Sequence, residues 1–405
     1  MQAWIDTAAG DLHNRGMAQM LVTQQQQMDE LVERLAGEPM VGFDTEFHSE
    51  RTYVPKLMLL QLAAGDDVWL VDPLAGVDLR PLIEAMCRPG LLLIGHALKN
   101  DLRILWLHFG LLPTLVFDTQ IAAAFLGHGL QAGLGALLHQ VLGVHQPKGE
   151  QMADWSQRPL PDRLQGYAAG DVAHLLRLHQ VLTDELRARQ RDGWVQEECR
   201  CLCQPSRYER DPESTWQRVA GNRKLDPREA GVLLALVAER EQIAQQEDLV
   251  PHFLLTDEVL QLLARHAPRN RKELEMDRRF QQRGVQRYLA RWAQAIAVGL
   301  ENPVKRVAAR PPPPPEIETV AALMMLLVSD LATREGIAPS LLLKRDALIQ
   351  ALREQPQDTA SFAELAGLHG WRAVLLADPL WRLSQGQLHI TCQPGGSGGF
   401  SLVIA

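Results

Sequence analysis

Long apolar runs are missing from this chain. In 405 residues the longest purely apolar stretches, such as Val320–Val328, fall well short of a bilayer span of roughly 20 residues. No membrane-spanning helix is therefore expected. The N-terminus lacks a basic segment followed by an apolar core, which argues against an export signal and for the cytoplasm. Cysteine is scarce: Cys87, Cys199, Cys201, Cys203 and Cys392. An odd number in a large chain fits free thiols better than a disulfide framework. Cys199-Arg-Cys-Leu-Cys203 has no second Cys or His pair close behind at zinc-ligand spacing, which leaves structural zinc unsupported. Net positive charge is also absent, the formal balance being −8. Hydrophobic content of 46% with 22% charged residues is ordinary for a globular protein long enough for two or three domains.

What is present is a set of acids in suggestive settings. Met40–Phe43 is a short apolar run entered from Gly37-Glu38-Pro39 and reads as a strand. Alternation along it sends Asp44 and Glu46 to one face. Leu91–Ile94 reads as a second, buried strand leading through Gly95 and His96 into a helix over Leu98–Leu107, with Asp101 in its first turns. Tyr167 and Asp171, four residues apart, share a helical face, and Val172, Leu175, Leu176 and Leu178 supply that helix's core stripe. Carboxylates in a cluster hold hard divalent cations, and two such cations side by side hydrolyse phosphodiesters. Each acid alone has a bland reading, as a turn or a helix-dipole partner. Their joint occurrence on plausible elements favours a metal-dependent nuclease.

These residues resemble a known family. Phe43-Asp-Thr-Glu-Phe47, Arg51-Thr52-Tyr53 and Gln61-Leu62 look like the first exonuclease motif of ribonuclease D, and His96–Leu102 like its second. Asp154-Trp155, Arg158-Pro159-Leu160 and Tyr167-Ala-Ala-Gly-Asp171 look like its third. The resemblance implies an α/β ribonuclease-H-like exonuclease domain of the DEDD superfamily, tyrosine branch, with Asp44, Glu46, Asp101 and Asp171 as its four acids. It also implies two divalent cations, Mg²⁺ or Mn²⁺, with Asp44 bridging them. Glu46 and Asp171 would lie mainly on the water-activating ion and Asp101 would support the other. Tyr167, with an ordinary phenol pKa near 10, is expected to orient the attacking water rather than deprotonate it. The implied partner is RNA, tRNA precursors included, trimmed one nucleotide at a time from the 3′ end. No membrane or obligate protein partner is expected.

Other candidates carry less. His96 could meet a phosphate or pack structurally, and Lys148 could contact a phosphate or stay solvated. Arg51 and Tyr53 could meet the RNA backbone or a terminal base. Asp118 fits a helix N-cap before Ile121–Leu126 better than a metal ligand. Charge is unevenly placed: residues 263–310 hold twelve bases and four acids. Arg265, Arg269, Arg271, Lys272, Arg278, Arg279, Arg283, Arg287 and Arg291 are interleaved there with His266, Tyr288 and Trp292. Such a block can track a nucleic-acid backbone and stack on bases, although spacing of four also suits a solvated helical face.

The expected organisation is an N-terminal extension over 1–19, with Met17 as a possible natural start, and an exonuclease domain over 20–195. A connecting segment over 196–226 and a helical domain over 227–299 follow, with helices over Ala230–Ala244, Thr256–Ala264 and Arg283–Val298. That domain resembles the module shared by ribonuclease D and RecQ-type helicases. A Pro-rich spacer over 300–315 precedes a second, diverged helical domain over 316–390 and a tail over 391–405 that is flexible by its Gly and Ser content. The competing functions are an RNA-binding protein with a vestigial nuclease site and a single-stranded DNA exonuclease, since recognition of the 2′-hydroxyl leaves no motif.

Overall fold

Strands and helices are interspersed as far as Asp118 and helices dominate thereafter in a computed structural model describing residues 18–146, 149–150, 153–209, 211–221, 223–276, 278–304, 312–394 and 400–404. The chain divides into two units. One comprises residues up to Glu46, Met58–Gln204 and those from Pro313 onward; the other comprises Phe47–Leu57 and Pro205–Pro312.

The first unit is built on a six-stranded sheet: β1 (Ala18–Val22), β2 (Met40–His48), β3 (Lys56–Ala64), β4 (Asp67–Val71), β5 (Leu92–Gly95) and β6 (Leu115–Asp118), in spatial order β1-β4-β3-β2-β5-β6. β1 runs parallel to β4, β5 lies parallel to both β2 and β6, and β3 runs antiparallel to β4. Among the described residues eight helices accompany it: α1 (Gln25–Leu35), α2 (Arg80–Met86), α3 (Lys99–Phe109), α4 (Thr119–Leu126), α5 (Leu134–Leu142), α6 (Asp162–Ala173), α7 (Leu175–Ala188) and α8 (Asp192–Leu202). β3 is buried from Leu57 to Ala64, as a central strand covered on both faces requires. β2 is buried through Phe43 and then alternates, because its second half leaves the core.

Gly42 shows how α6 and α7 lie on this sheet. A Cβ there would sit 3.3 Å from Ala63 Cβ and 3.4 Å from both Leu175 Cβ and the Val172 carbonyl oxygen. Glycine thus lets the α6–α7 junction rest directly on the strand. The same contact sets the register between β2 and β3. The short connection between these adjacent strands permits only an antiparallel pair. With Gly42 opposite Ala63, Asp44 stands opposite Gln61 on the face covered by α6 and α7.

The C-terminal helices also belong to this unit: α16 (Pro315–Glu335), α17 (Pro339–Leu342), α18 (Arg345–Arg353), α19 (Thr359–Leu365) and α20 (Gly370–Ser384). Trp371 of α20 stacks on Trp194 of α8, ring centroids 4.9 Å apart, and meets Phe125 edge-on at 5.0 Å. Arg191 donates to the Phe125 carbonyl at 2.7 Å and to Glu335 Oε2 at 2.8 Å. The Pro-rich run therefore does not keep the second helical module apart from the exonuclease domain. Pro315 is the first residue of α16, where a missing N–H costs nothing. Likewise α8 continues through the domain boundary expected at residue 195. The tail is not wholly irregular either: β7 (Ile390–Pro394) pairs antiparallel with β8 (Phe400–Ile404). Its β-branched residues make a ladder on either side of the Gly-rich 395–399, which lie outside the described residues.

The second unit contains α9 (Pro212–Ala220), α10 (Pro227–Gln246), α11 (Pro251–Leu254), α12 (Asp257–His266), α13 (Arg271–Met276), α14 (Arg283–Arg287) and α15 (Leu289–Glu301). Asp226 caps α10 and Thr256 caps α12, as their sequence signals indicate. α10 and α15 cross where glycines remove both side chains: a Cβ on Gly231 would lie 2.4 Å from the Asn302 carbonyl oxygen. The single helix expected over Arg283–Val298 is broken at Tyr288. Gly284 of α14 sits so tightly against α11 that a Cβ would fall 1.7 Å from the Leu254 carbonyl oxygen. Among the described residues, no helix is long and apolar enough to cross a membrane.

Candidate metal centre

Ligand atoms of Asp44, Glu46 and Asp171 lie within 4.8 Å of one another. The first two are presented by alternation along β2, and Asp171 comes from the end of α6 that Gly42 allows close to the strand. Thr45, between the two acids, points to the opposite face, and its hydroxyl donates to Asp101 Oδ1 at 2.5 Å. Asp101 is in the first turn of α3 and is buried. It stands outside the close trio, yet its charge acts on both Asp44 and Glu46.

The electrostatics follow from burying like charges. Burial, then Asp101, Asp171 and Glu46, raises Asp44 well above the usual carboxylate range. Glu46 is pushed up to about 8 by burial and by Asp171 and Asp101. Burial lifts Asp101 to about 7 against the Thr45 hydrogen bond, and Asp171 to about 6 against Gln146, whose Nε2 donates to Asp171 Oδ1 at 2.6 Å. Among the described residues no cation side chain is paired with any of the four. Half-buried hard oxygen donors of one sign, each destabilised as an anion, suit a divalent cation.

Several residues besides the acids support this arrangement. Asp118 caps α4 by accepting from Gln120 N and Ile121 N, and it also accepts from Ala97 N at 3.0 Å and Leu98 N at 2.9 Å. Ala97 has φ +59°, so Asp118 holds the strained turn that launches the Asp101 helix. Arg158 grips Asp72 with two nitrogens, at 2.6 and 2.7 Å, and donates to the Met58 carbonyl at 2.8 Å. It thereby anchors the segment before α6 to the sheet. Trp155 in that segment is buried, with its ring centroid 6.1 Å from that of Tyr167. Thr45 was detectable in principle, since alternation sends it away from its acidic neighbours. Gln146 carries no local signal.

Other expected contacts fall elsewhere. Both ring nitrogens of His96 are engaged inside the fold, Nδ1 with Thr119 Oγ1 at 2.9 Å and Nε2 with the Ala132 carbonyl at 2.8 Å. Burial lowers its pKa, so it stays neutral, and the packed alternative describes it better than a phosphate ligand. Tyr53 belongs to the helical unit: its N–H donates to Asp248 at 3.1 Å and its hydroxyl to Glu241 at 3.2 Å. Arg51 is exposed, and Lys148 lies outside the described residues. The basic block is partly neutralised, because Arg287 pairs with Glu247 at 2.8 Å, Arg291 with Glu239, and Arg265 with Glu229 at 3.8 Å. Trp292 is buried and donates to the Gly284 carbonyl, which removes it from base stacking. Arg269, Arg271, Lys272, Arg278 and Arg283 remain exposed.

A cluster of buried and half-buried acids on an interior strand of this sheet and its flanking helices, followed by a small helical unit, defines a 3′–5′ exonuclease joined to an accessory domain. Family profiles agree: a 3′–5′ exonuclease matches residues 19–187, and an HRDC domain matches residues 229–296. The ribonuclease D of Gluconacetobacter diazotrophicus is 35% identical over 91% of this chain and 93% of its own length. That of Sphingobium indicum is 34% identical over 93% and 97%. The crystal structure of Escherichia coli RNase D, an exoribonuclease involved in structured RNA processing, superposes with a TM-score of 0.78 at 28% identity, covering 90% of this chain and 98% of that one. The chain belongs to the ribonuclease D family and is a 3′–5′ exoribonuclease.

Proposed function

We propose that this chain trims the 3′ ends of tRNA precursors and other small structured RNAs in the cytoplasm, releasing nucleoside 5′-monophosphates by two-metal hydrolysis. The observation that most supports this reading is the convergence of Asp44, Glu46 and Asp171 within 4.8 Å from strand and helix. Asp44, Glu46 and Asp171 would hold the cations, with Asp101 supporting the second through its Thr45-fixed carboxylate. A bound pair of Mg²⁺ or Mn²⁺ ions supplies water activation and neutralisation of charge on the phosphate and leaving oxygen. Tyr167, one helical turn before Asp171, orients the attacking water through its hydroxyl, and Trp155 limits where its ring can go. The exposed bases of the helical unit meet RNA phosphates, where they add affinity without reading sequence.

The test compares a 3′-labelled tRNA precursor with a DNA oligonucleotide, in Mn²⁺ and in EDTA. Single-nucleotide products from RNA alone, lost in EDTA and in Asp44→Asn, are expected. Tyr167→Phe should reduce turnover much more than RNA binding. Equal loss of both would assign the hydroxyl to substrate binding, and an Asp44→Asn enzyme of normal activity would refute the acid site.

A further inference from the structure

Gln61 is buried for no reason that the core supplies. It is 0% exposed in the middle of β3, between apolar neighbours, and among the described residues neither Oε1 nor Nε2 has a hydrogen-bond partner. An apolar side chain of similar size would avoid leaving those atoms unpaired, a cost that unsatisfied buried groups normally impose. The register explains what the amide is near. Gly42 opposite Ala63 places Gln61 opposite Asp44 on one face of the antiparallel pair. Directly opposed residues have Cβ atoms about 4.5–5.5 Å apart, a gap that a glutamine amide, carried on a flexible stem, can close.

We infer that Gln61 is a positioning residue for the metal centre. With cations bound, Gln61 Nε2 donates to the Asp44 carboxylate and fixes its orientation, so that the unpaired amide is preserved for the loaded state. Nothing in the helical unit is needed for this, since both residues are set by adjacent strands. The inference rests on Asp44 being a cation ligand, as proposed above. Hydrogen-bond partners of metal ligands typically account for roughly 10–100-fold in metal affinity.

The experiment uses the full chain carrying Gln61→Met, which keeps volume and removes both polar atoms. The expected result combines opposite signs: a melting temperature in EDTA equal to or above that of the natural protein, and Mn²⁺ affinity, read by calorimetry, weaker by roughly 10–100-fold. The lost turnover should return as Mn²⁺ is raised. Mn²⁺ affinity within about twofold of the natural protein in a folded variant would overturn the inference, as would a large drop in melting temperature with metal affinity intact. Should the variant not fold, a crystal structure of the natural protein with Mn²⁺ decides: Gln61 Nε2 out of hydrogen-bonding reach of the Asp44 carboxylate overturns it. Asp44→Asn is measured in parallel. Unchanged Mn²⁺ binding there would sink the metal-site reading itself, whereas lost binding there with none lost in Gln61→Met would sink only the role of Gln61.

Discussion

Raised carboxylate pKa values tie the site to the stability of the chain at the level of single residues. Glu46 at about 8, Asp101 at about 7 and Asp171 at about 6 each keep a proton in the folded chain that the unfolded chain has already released. Between the ordinary carboxylate range near 4 and about pH 8, the folded state therefore binds more protons than the unfolded state. The sign is that stability is fully present below that range and is lost as pH rises to about 8. Melting temperature in EDTA is expected to fall from about pH 5 to about pH 8, and Mg²⁺ or Mn²⁺ should flatten the decline by stabilising the anions. A profile in EDTA that is level or rising would show that the carboxylates ionise freely.

Two glycines, one on a helix and one on a strand, can be tested by adding a single methyl group. Gly166 lies on α6 without positive φ, and among the described residues nothing would lie within 4 Å of an added Cβ. Gly166→Ala should then stabilise the chain by about 1 kcal/mol through helix propensity alone, measured by urea unfolding. Gly42 is the opposite case, because its Cβ would press on Ala63, Leu175 and the Val172 carbonyl. Gly42→Ala must shift the α6–α7 junction by a few tenths of an ångström or strain it, at a cost of roughly 1–3 kcal/mol. Since Asp171 directly precedes Val172, Mn²⁺ affinity should weaken as well. Undiminished stability and metal binding in Gly42→Ala would show that the junction has room to move.

Within the first unit as a whole, the C-terminal helices and the exonuclease sheet should melt together. Trp371 is 4% exposed and contacts Trp194 and Phe125, and Arg372 reinforces the contact by pairing with Glu198. Truncating a buried aromatic costs roughly 3–5 kcal/mol. Trp371→Ala is therefore expected to lower the temperature at which nuclease activity is lost, although Trp371 is on a C-terminal helix remote in sequence from Asp44, Glu46 and Asp171. An unchanged inactivation temperature alongside an early fluorescence transition would mean that the two regions unfold independently.

Local pattern accounts for much of this protein. Alternation in β2 put Asp44 and Glu46 on one face, a spacing of four stacked Tyr167 on Asp171, and Asp118 and Thr256 were legible as caps. These readings hold because propensity, periodicity and capping act over a few residues. The same short range explains what the pattern did not reveal. The local charge count around Arg287 and Arg291 could not see Glu247 and Glu239 on another helix. The partners of Tyr53 lie nearly 200 positions away, and the Gly-rich tail concealed a ladder between its flanks. Local pattern thus identifies which side chains are chemically able to form the site and which elements carry them. Contacts distant in sequence bring three acids into a close trio while Thr45 holds the fourth, and place Gln61 opposite Asp44 with no partner among the described residues. Those outcomes depend on strand register and on how closely a helix can lie on a glycine, and such contacts form between segments that share no local pattern.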